Sequence, residues 1–342
     1  VSVTVLDRAP ASAPASSLPV VLAAVLGLWL APSTPLFLAA WALLFAWATA
    51  RVAGRPSTPL APALVLACGV VPVIPLLSRG APAPLVVLAA AMAAGVVPFH
   101  LWLSALERRA PPREFLVVLL GQPGLVWLHR YVTAHGEAFH GATRDVLLGG
   151  FVLSALVMTG LGLVRREPRR ALAALASSQS MLALAGAVTG ERGWAAARLL
   201  WISLTAGSAV LHAVVFALER RYDVRRLAQD HGLAAAEPSL HRVFVTMGWL
   251  MVGVPGGIAF FAEDLLFHAI VEESALATLA FLLSAALNAA VFYRVYLGLF
   301  SGPATRPPRP DAPAETSPGG VAWMLAAVLL VILGGVAPGW FL

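Results

Sequence analysis

Long apolar runs alternate with short polar breaks along the chain. Runs long enough to cover a hydrocarbon core, about 20 residues each, fall at 18–31, 35–53, 59–78, 83–105, 114–131, 146–165, 169–189, 194–219, a broken one across 241–272, 275–300 and 320–337. They predict an all-α, polytopic membrane bundle of about eleven spans. Continuous runs, in place of short segments of alternating polarity, exclude an outer-membrane barrel. Two stretches stay outside this pattern. Residues 1–17 are polar and rich in Ala, Ser and Pro, with no basic lead into a cleavable apolar run. The stretch "SGPATRPPRPDAPAETSPGG", 301–320, reads as a Pro-rich surface loop before the last span. The chain thus divides into a polar N-terminal segment, 1–17, and one transmembrane domain, 18–342.

Composition removes the alternatives. Of 342 residues, 59% are hydrophobic and 12% charged, which excludes a water-soluble domain. The arginines sort by side. Arg51 and Arg55, Arg108, Arg109 and Arg113, Arg165 to Arg170, Arg220 to Arg226 with Arg242, and Arg306 with Arg309 follow alternate spans, whereas the intervening loops are poor in basic residues. By the positive-inside rule the first set faces the cytoplasm. The expected orientation has a cytoplasmic N-terminus, and the expected location is a bacterial inner membrane, crossed many times. Arg169 and Arg170 read as the cytoplasmic anchor of their span. The basic excess is explained by orientation and contact with lipid headgroups, so no nucleic acid is needed.

All 23 basic residues are arginine. Arginine stays charged in proteins, so any proton relay here must use histidine, carboxylates and water. The single cysteine, Cys68, lies mid-span and leaves no disulfide or cysteine metal site. No metal-ligand spacing and no Gly-rich nucleotide loop is present.

Polar groups inside spans are costly and are candidates for function. In "VPFHLWLSALERRAPP", Pro98 frees a backbone carbonyl and His100 stands two residues on; a structural kink and a hydrated proton site are both open. His212 lies mid-span among small residues, too far from either end to snorkel. Pro255 with Gly253, Gly256 and Gly257 breaks a span, which is tolerated where backbone lines a cavity or is buried in protein. Glu263 and Asp264 follow that break, as a titratable pair or as an interfacial acidic loop. Ser178 and Gln179 can hydrogen-bond between helices or hold water.

Taken together these stretches resemble the antiporter-like membrane subunits of respiratory complex I and of multisubunit cation/proton antiporters. "VPFHLWLSALERRAPP" is similar to that superfamily's Pro-Phe-His-x-Trp-Leu break followed by Ala-Pro. "EPRRALAALASSQSM", "SAVLHAVVF", "VGVPGGIAFFAEDLLFH" and "LLVILGGVAPGWF" agree with further motifs in order and spacing. The resemblance covers about residue 35 to the end. It implies inverted repeats with broken helices, and a usual count of about fourteen helices, three more than this chain at the N-terminus.

The resemblance also implies a site. The superfamily's axis of charged residues maps onto Ala42, Ala93 and Gln122 in the first half, and onto His212 and Glu263 in the second. The first half of the relay is therefore expected to be neutral and the second titratable. His212, Glu263 and Asp264 form the expected proton relay, with Gln122, Ser178, Gln179 and His268 accessory. Pro98, His100, Pro255 and Gly256 mark helix breaks beside a hydrated cavity. The expected function is a proton- or cation-translocating subunit of a complex I-like assembly, with no cofactor in this chain and at most a non-redox part in an oxidoreductase. Its partners would be other membrane subunits, a redox or zinc-containing chain, and lipid. An ion-coupling subunit of a two-component inorganic-carbon uptake system and a structural subunit with a degenerate relay are the alternatives.

Overall fold

The computed structural model describes residues 17–54, 60–78, 80–135, 139–227, 231–303, 308 and 318–341. Most of the 1–17 segment and of the 301–320 loop lies outside the described residues, as do Arg55, Arg79, Arg306 and Arg309. The described chain is all-α, as the pattern predicts, and the membrane runs become α1 (Leu18–Leu30), α2 (Thr34–Ala53), α3 (Leu60–Val70), α4 (Val73–Leu77), α5 (Ala83–Ala94), α6 (Leu101–Arg109), α7 (Pro112–Gly121), α8 (Pro123–His135), α9 (Gly141–Val164), α10 (Pro168–Ala187), α11 (Gly190–Tyr222), α12 (Pro238–Met251), α13 (Ile258–Val271), α14 (Ala275–Phe300) and α15 (Pro318–Val336). Proline starts many of them: α1, α2, α5, α7, α10 and α12 each carry one in their first two positions, where its missing N–H costs nothing.

Seven helical stretches among the described residues are long and apolar enough to cross a membrane. The protein is a multi-pass membrane protein. Four of the expected runs are split: α3/α4, α5/α6, α7/α8 and α12/α13. The splits at Pro98 and Pro255 follow the sequence reading. Those at Val71–Pro72 and Gln122 add to it: Leu60–Leu77 and Pro112–His135 are each one stretch long enough to cross, as read, but each is interrupted inside. At Gln122 the backbone turns left-handed, with φ of 48°, and Pro123 then withholds the N–H that would have continued the helix.

α10 sits at the centre, buried continuously from Ser178 to Ala187 and packed on α9, α11 and α14. A helix buried all round has no polar face to give to water, so any polar side chain on it meets other helices. α15 closes the outside of the α12/α13 break. A side chain at Gly335 would come within 2.5–2.8 Å of the Gly256 and Gly257 backbone. That contact gives the Gly-Gly near the C-terminus its physical reason.

The arginine-rich segments meet at one end of the bundle. There Arg51 pairs with Glu114 at 3.1 Å, Arg169 with Glu219 at 2.9 Å, and Arg170 with Glu167 at 3.1 Å. The opposite end is tied by Arg144–Glu273 and Arg192–Glu272, at 2.7 and 2.6 Å. Arg169 and Arg170 are thus more than surface anchors, since each is held by a neighbouring carboxylate.

Candidate functional site

The α12/α13 break organises the second half. Gly253 and Gly256 take φ of 82° and 103°, a region open to glycine, and Pro255 supplies no N–H. The freed backbone is met by side chains. Gln179 of α10 donates Nε2 to the Met251 carbonyl at 2.7 Å. The Glu263 carboxylate lies over Gly253, so that a Cβ there would collide with its Oε2. Met251 also presses on Gly207 of α11, its sulfur 2.8 Å from where a Cβ would stand. Met251 is therefore the point where α10, α11 and the break meet.

His212 lies on α11 between this junction and the basic end. Its Nδ1 is 2.8 Å from the Ser208 carbonyl one turn back, and the ring is 4% exposed. It lines a cavity of about 230 Å³ whose other walls include Glu107, Arg108, Glu167, Arg169 and Arg170. A smaller cavity of about 40 Å³ is lined by His100, Glu107, Arg165, Arg170 and Ser177. Glu107 and Arg170 border both, so the cavity beside the first Pro break and the His212 vestibule share a wall. Glu107 lies past the apolar part of its run. Burial pushes its carboxyl above the usual carboxylate range, against the pull of Arg165, Arg170 and Arg108.

Several buried polar atoms on the helices around His212 and the break have no hydrogen-bond partner among the described residues: the hydroxyls of Ser178, Ser203 and Ser208, Oε1 of Gln179 and both amide atoms of Asn288. Each of these residues is 1% exposed or less. Buried polar groups of this kind are normally satisfied by protein or by ordered water. Asn288 escaped the sequence reading, although a lone amide in "LLSAALNAAV" was a visible signal. It lies one turn from Phe292, whose ring fills the space beside Gly248 of α12, and so faces the level of the break.

The first half is built differently. Gln122 donates Nε2 to the Leu119 carbonyl at 2.6 Å and accepts from Ser180. The next two free carbonyls, of Leu120 and Gly121, accept from the indoles of Trp201 at 3.0 Å and Trp29 at 2.8 Å, and those rings stack with centroids 4.2 Å apart. Around Gln122 and Ala93 only about 20 Å³ is empty. The α3/α4 break is capped likewise, by Trp41 on Gly69 at 2.7 Å and Trp127 on Pro72 at 2.8 Å. Ala42 lines an apolar groove on this side.

Adjacent in sequence, Glu263 and Asp264 part company in space. Asp264 is exposed on the outer face of α13 beside His268, at 3.8 Å, and the His268 side chain is 54% exposed. One step along a helix rotates a side chain by about 100°, so a neighbour of an inward residue readily faces out. Pro255 and Gly256 are themselves exposed, under α15. No group of three or more His, Cys, Asp and Glu side chains gathers among the described residues.

Residues 81–288, more than half of the chain, match the family described as NADH:quinone oxidoreductase/Mrp antiporter, transmembrane. The chain belongs to that family. Among curated relatives, subunit N of the NADH-quinone oxidoreductase of Alkalilimnicola ehrlichii is 25% identical over 262 residues, covering 74% of this chain and 52% of that protein. The Halorhodospira halophila subunit N is 26% identical over 294 residues, covering 84% and 56%. The chain spans about half the length of these relatives. Its fold matches a chain of respiratory complex I from Thermus thermophilus with a TM-score of 0.79 at 20% identity, covering 93% of this chain and 74% of that one. A chain of the Mrp complex from a Dietzia species gives 0.77 at 19%, covering 94% and 74%. The NADH:quinone oxidoreductase/Mrp antiporter fold is thus present in a chain whose first half lacks ionisable groups at Ala42, Ala93 and Gln122.

Proposed function

We propose that this chain is a non-redox, proton-translocating membrane subunit of a complex I-like assembly, and that it contributes a partial proton path through its second half. The path enters from the arginine-rich end, taken as cytoplasmic, through the 230 Å³ vestibule to His212. It continues along water held by Ser208, Gln179 and Asn288 to Glu263 at the break. Imidazole and carboxyl groups can take up and release protons, and hydroxyls and water can both donate and accept. The axis of Ala42, Ala93 and Gln122, which has no ionisable side chain and whose Gln122 break is closed by tryptophan, carries no proton. Redox groups and the energy source belong to partner subunits in the same membrane.

The observation that carries the proposal is the placement of His212. It lines the polar vestibule, and its Nδ1 bonds the backbone of Ser208, whose own hydroxyl has no partner among the described residues. The test is proton flux in liposomes carrying the intact complex under an imposed pH gradient. Glu263→Gln and His212→Ala should each reduce flux by about a hundredfold, the size expected for loss of a proton-transfer group. Wild-type flux in both variants would overturn the proposal.

A further inference from the structure

Arg113, in the first turn of α7, and Arg220, in the last turn of α11, have no ion pair among the described residues. Both line one groove of about 450 Å³ at the arginine-rich end, with an apolar floor from Leu18, Pro111, Pro112 and Phe216. The two carboxylates in its wall are already engaged: Glu114 is paired with Arg51 at 3.1 Å and Glu219 with Arg169 at 2.9 Å. The guanidinium of Arg169 also lies 5.7 Å from the Phe216 ring centroid, which fixes that wall. The groove therefore offers two uncompensated guanidiniums beside hydrocarbon.

We propose that this groove binds one anionic phospholipid, with its phosphate held by Arg113 and Arg220 and an acyl chain lying along Phe216 and Leu18. Guanidinium groups suit phosphate because their N–H donors form paired, charge-assisted bonds with its oxygens. The level is right for a headgroup: Leu18 and Pro112 begin α1 and α7, so the groove lies where helices enter the membrane. A free phosphate would use the two arginines but leave the apolar floor uncovered. An acidic protein segment would have to bring hydrocarbon of its own. The groove shares Pro112, Arg169 and Phe216 with the His212 vestibule, so the bound headgroup stands beside that mouth. Binding itself does not depend on whether the chain moves protons.

Native mass spectrometry of the full chain in mild detergent, with phosphatidylglycerol or phosphatidylcholine added, tests this. Wild type should retain one phosphatidylglycerol in preference to phosphatidylcholine. The double variant Arg113→Gln/Arg220→Gln should lose it, while Arg166→Gln, an exposed arginine outside the groove, should keep it. If the double variant does not fold, the Arg113→Gln single variant decides, as that side chain is exposed and unpaired among the described residues. Inorganic phosphate in large excess should not displace the lipid. Equal retention of the two lipids, retention by the variant that decides, or displacement by inorganic phosphate each overturns the proposal.

Discussion

The breaks at Val71–Pro72 and Gln122 leave carbonyls that are met by indoles, from Trp41, Trp127, Trp29 and Trp201. At the α12/α13 break, the corresponding work falls to Gln179, with Glu263 over Gly253. The difference lies in what each group can do next. An indole N–H only donates, so it satisfies a carbonyl and ends the hydrogen-bond chain there. An amide donates through its nitrogen and accepts through its oxygen, and a carboxyl group can do both when protonated, so either can pass a hydrogen bond onward. Both solutions answer the same demand, that backbone inside a membrane be satisfied. At the α12/α13 break the amide that caps the backbone keeps its own Oε1 without a partner among the described residues, beside the carboxylate of Glu263.

This contrast can be broken at graded cost. The largest effect is expected at Glu263. In the intact complex, Glu263→Gln should reduce the proton flux assigned to this chain about a hundredfold, whereas Gln122→Leu should leave flux within about twofold, since no proton-transfer group is removed there. His212→Lys, which keeps a titratable cation, should retain more flux than His212→Ala; equal, wild-type flux in both would move His212 out of the path. Gly335→Val forces side-chain atoms into the Gly256–Gly257 backbone, and overpacking of that kind costs about 1–3 kcal/mol. A lowered thermal midpoint of the purified chain would register it. The smallest effect belongs to the first half. Trp29→Phe removes the donor to Gly121 and should cost about 1–2 kcal/mol of stability without altering flux; a loss of flux at unchanged stability would put a proton route where the tryptophans stand.

Much of this was legible in the chain. The breaks at Pro98 and Pro255 announce themselves because proline and glycine interrupt otherwise apolar runs, and the neutral first half follows from Ala42, Ala93 and Gln122. The break at Gln122 was hidden although "GQPG" spelled a turn, because the surrounding run is apolar enough to span by itself. The indole caps could not be read, since Trp29 and Gly121 are 92 positions apart and only packing joins them. Asp264 was grouped with Glu263 because sequence adjacency says nothing about helix face. Glu107 lay inside a charged knot, and only the two cavities single it out from its arginine neighbours.

The His212 vestibule should be open to small polar species from the arginine-rich end, and the packing around Gln122 closed to them. With Cys68 replaced by Ser, His212→Cys and Gln122→Cys can be exposed to a small charged thiol reagent in membranes of defined orientation. His212 borders about 230 Å³ of space, whereas Gln122 borders about 20 Å³. The cysteine at position 212 should therefore label rapidly from the arginine-rich side, and the one at 122 should stay unlabelled from either side until the protein is unfolded. Labelling at 122 as fast as at 212, or no labelling at 212, would contradict the account.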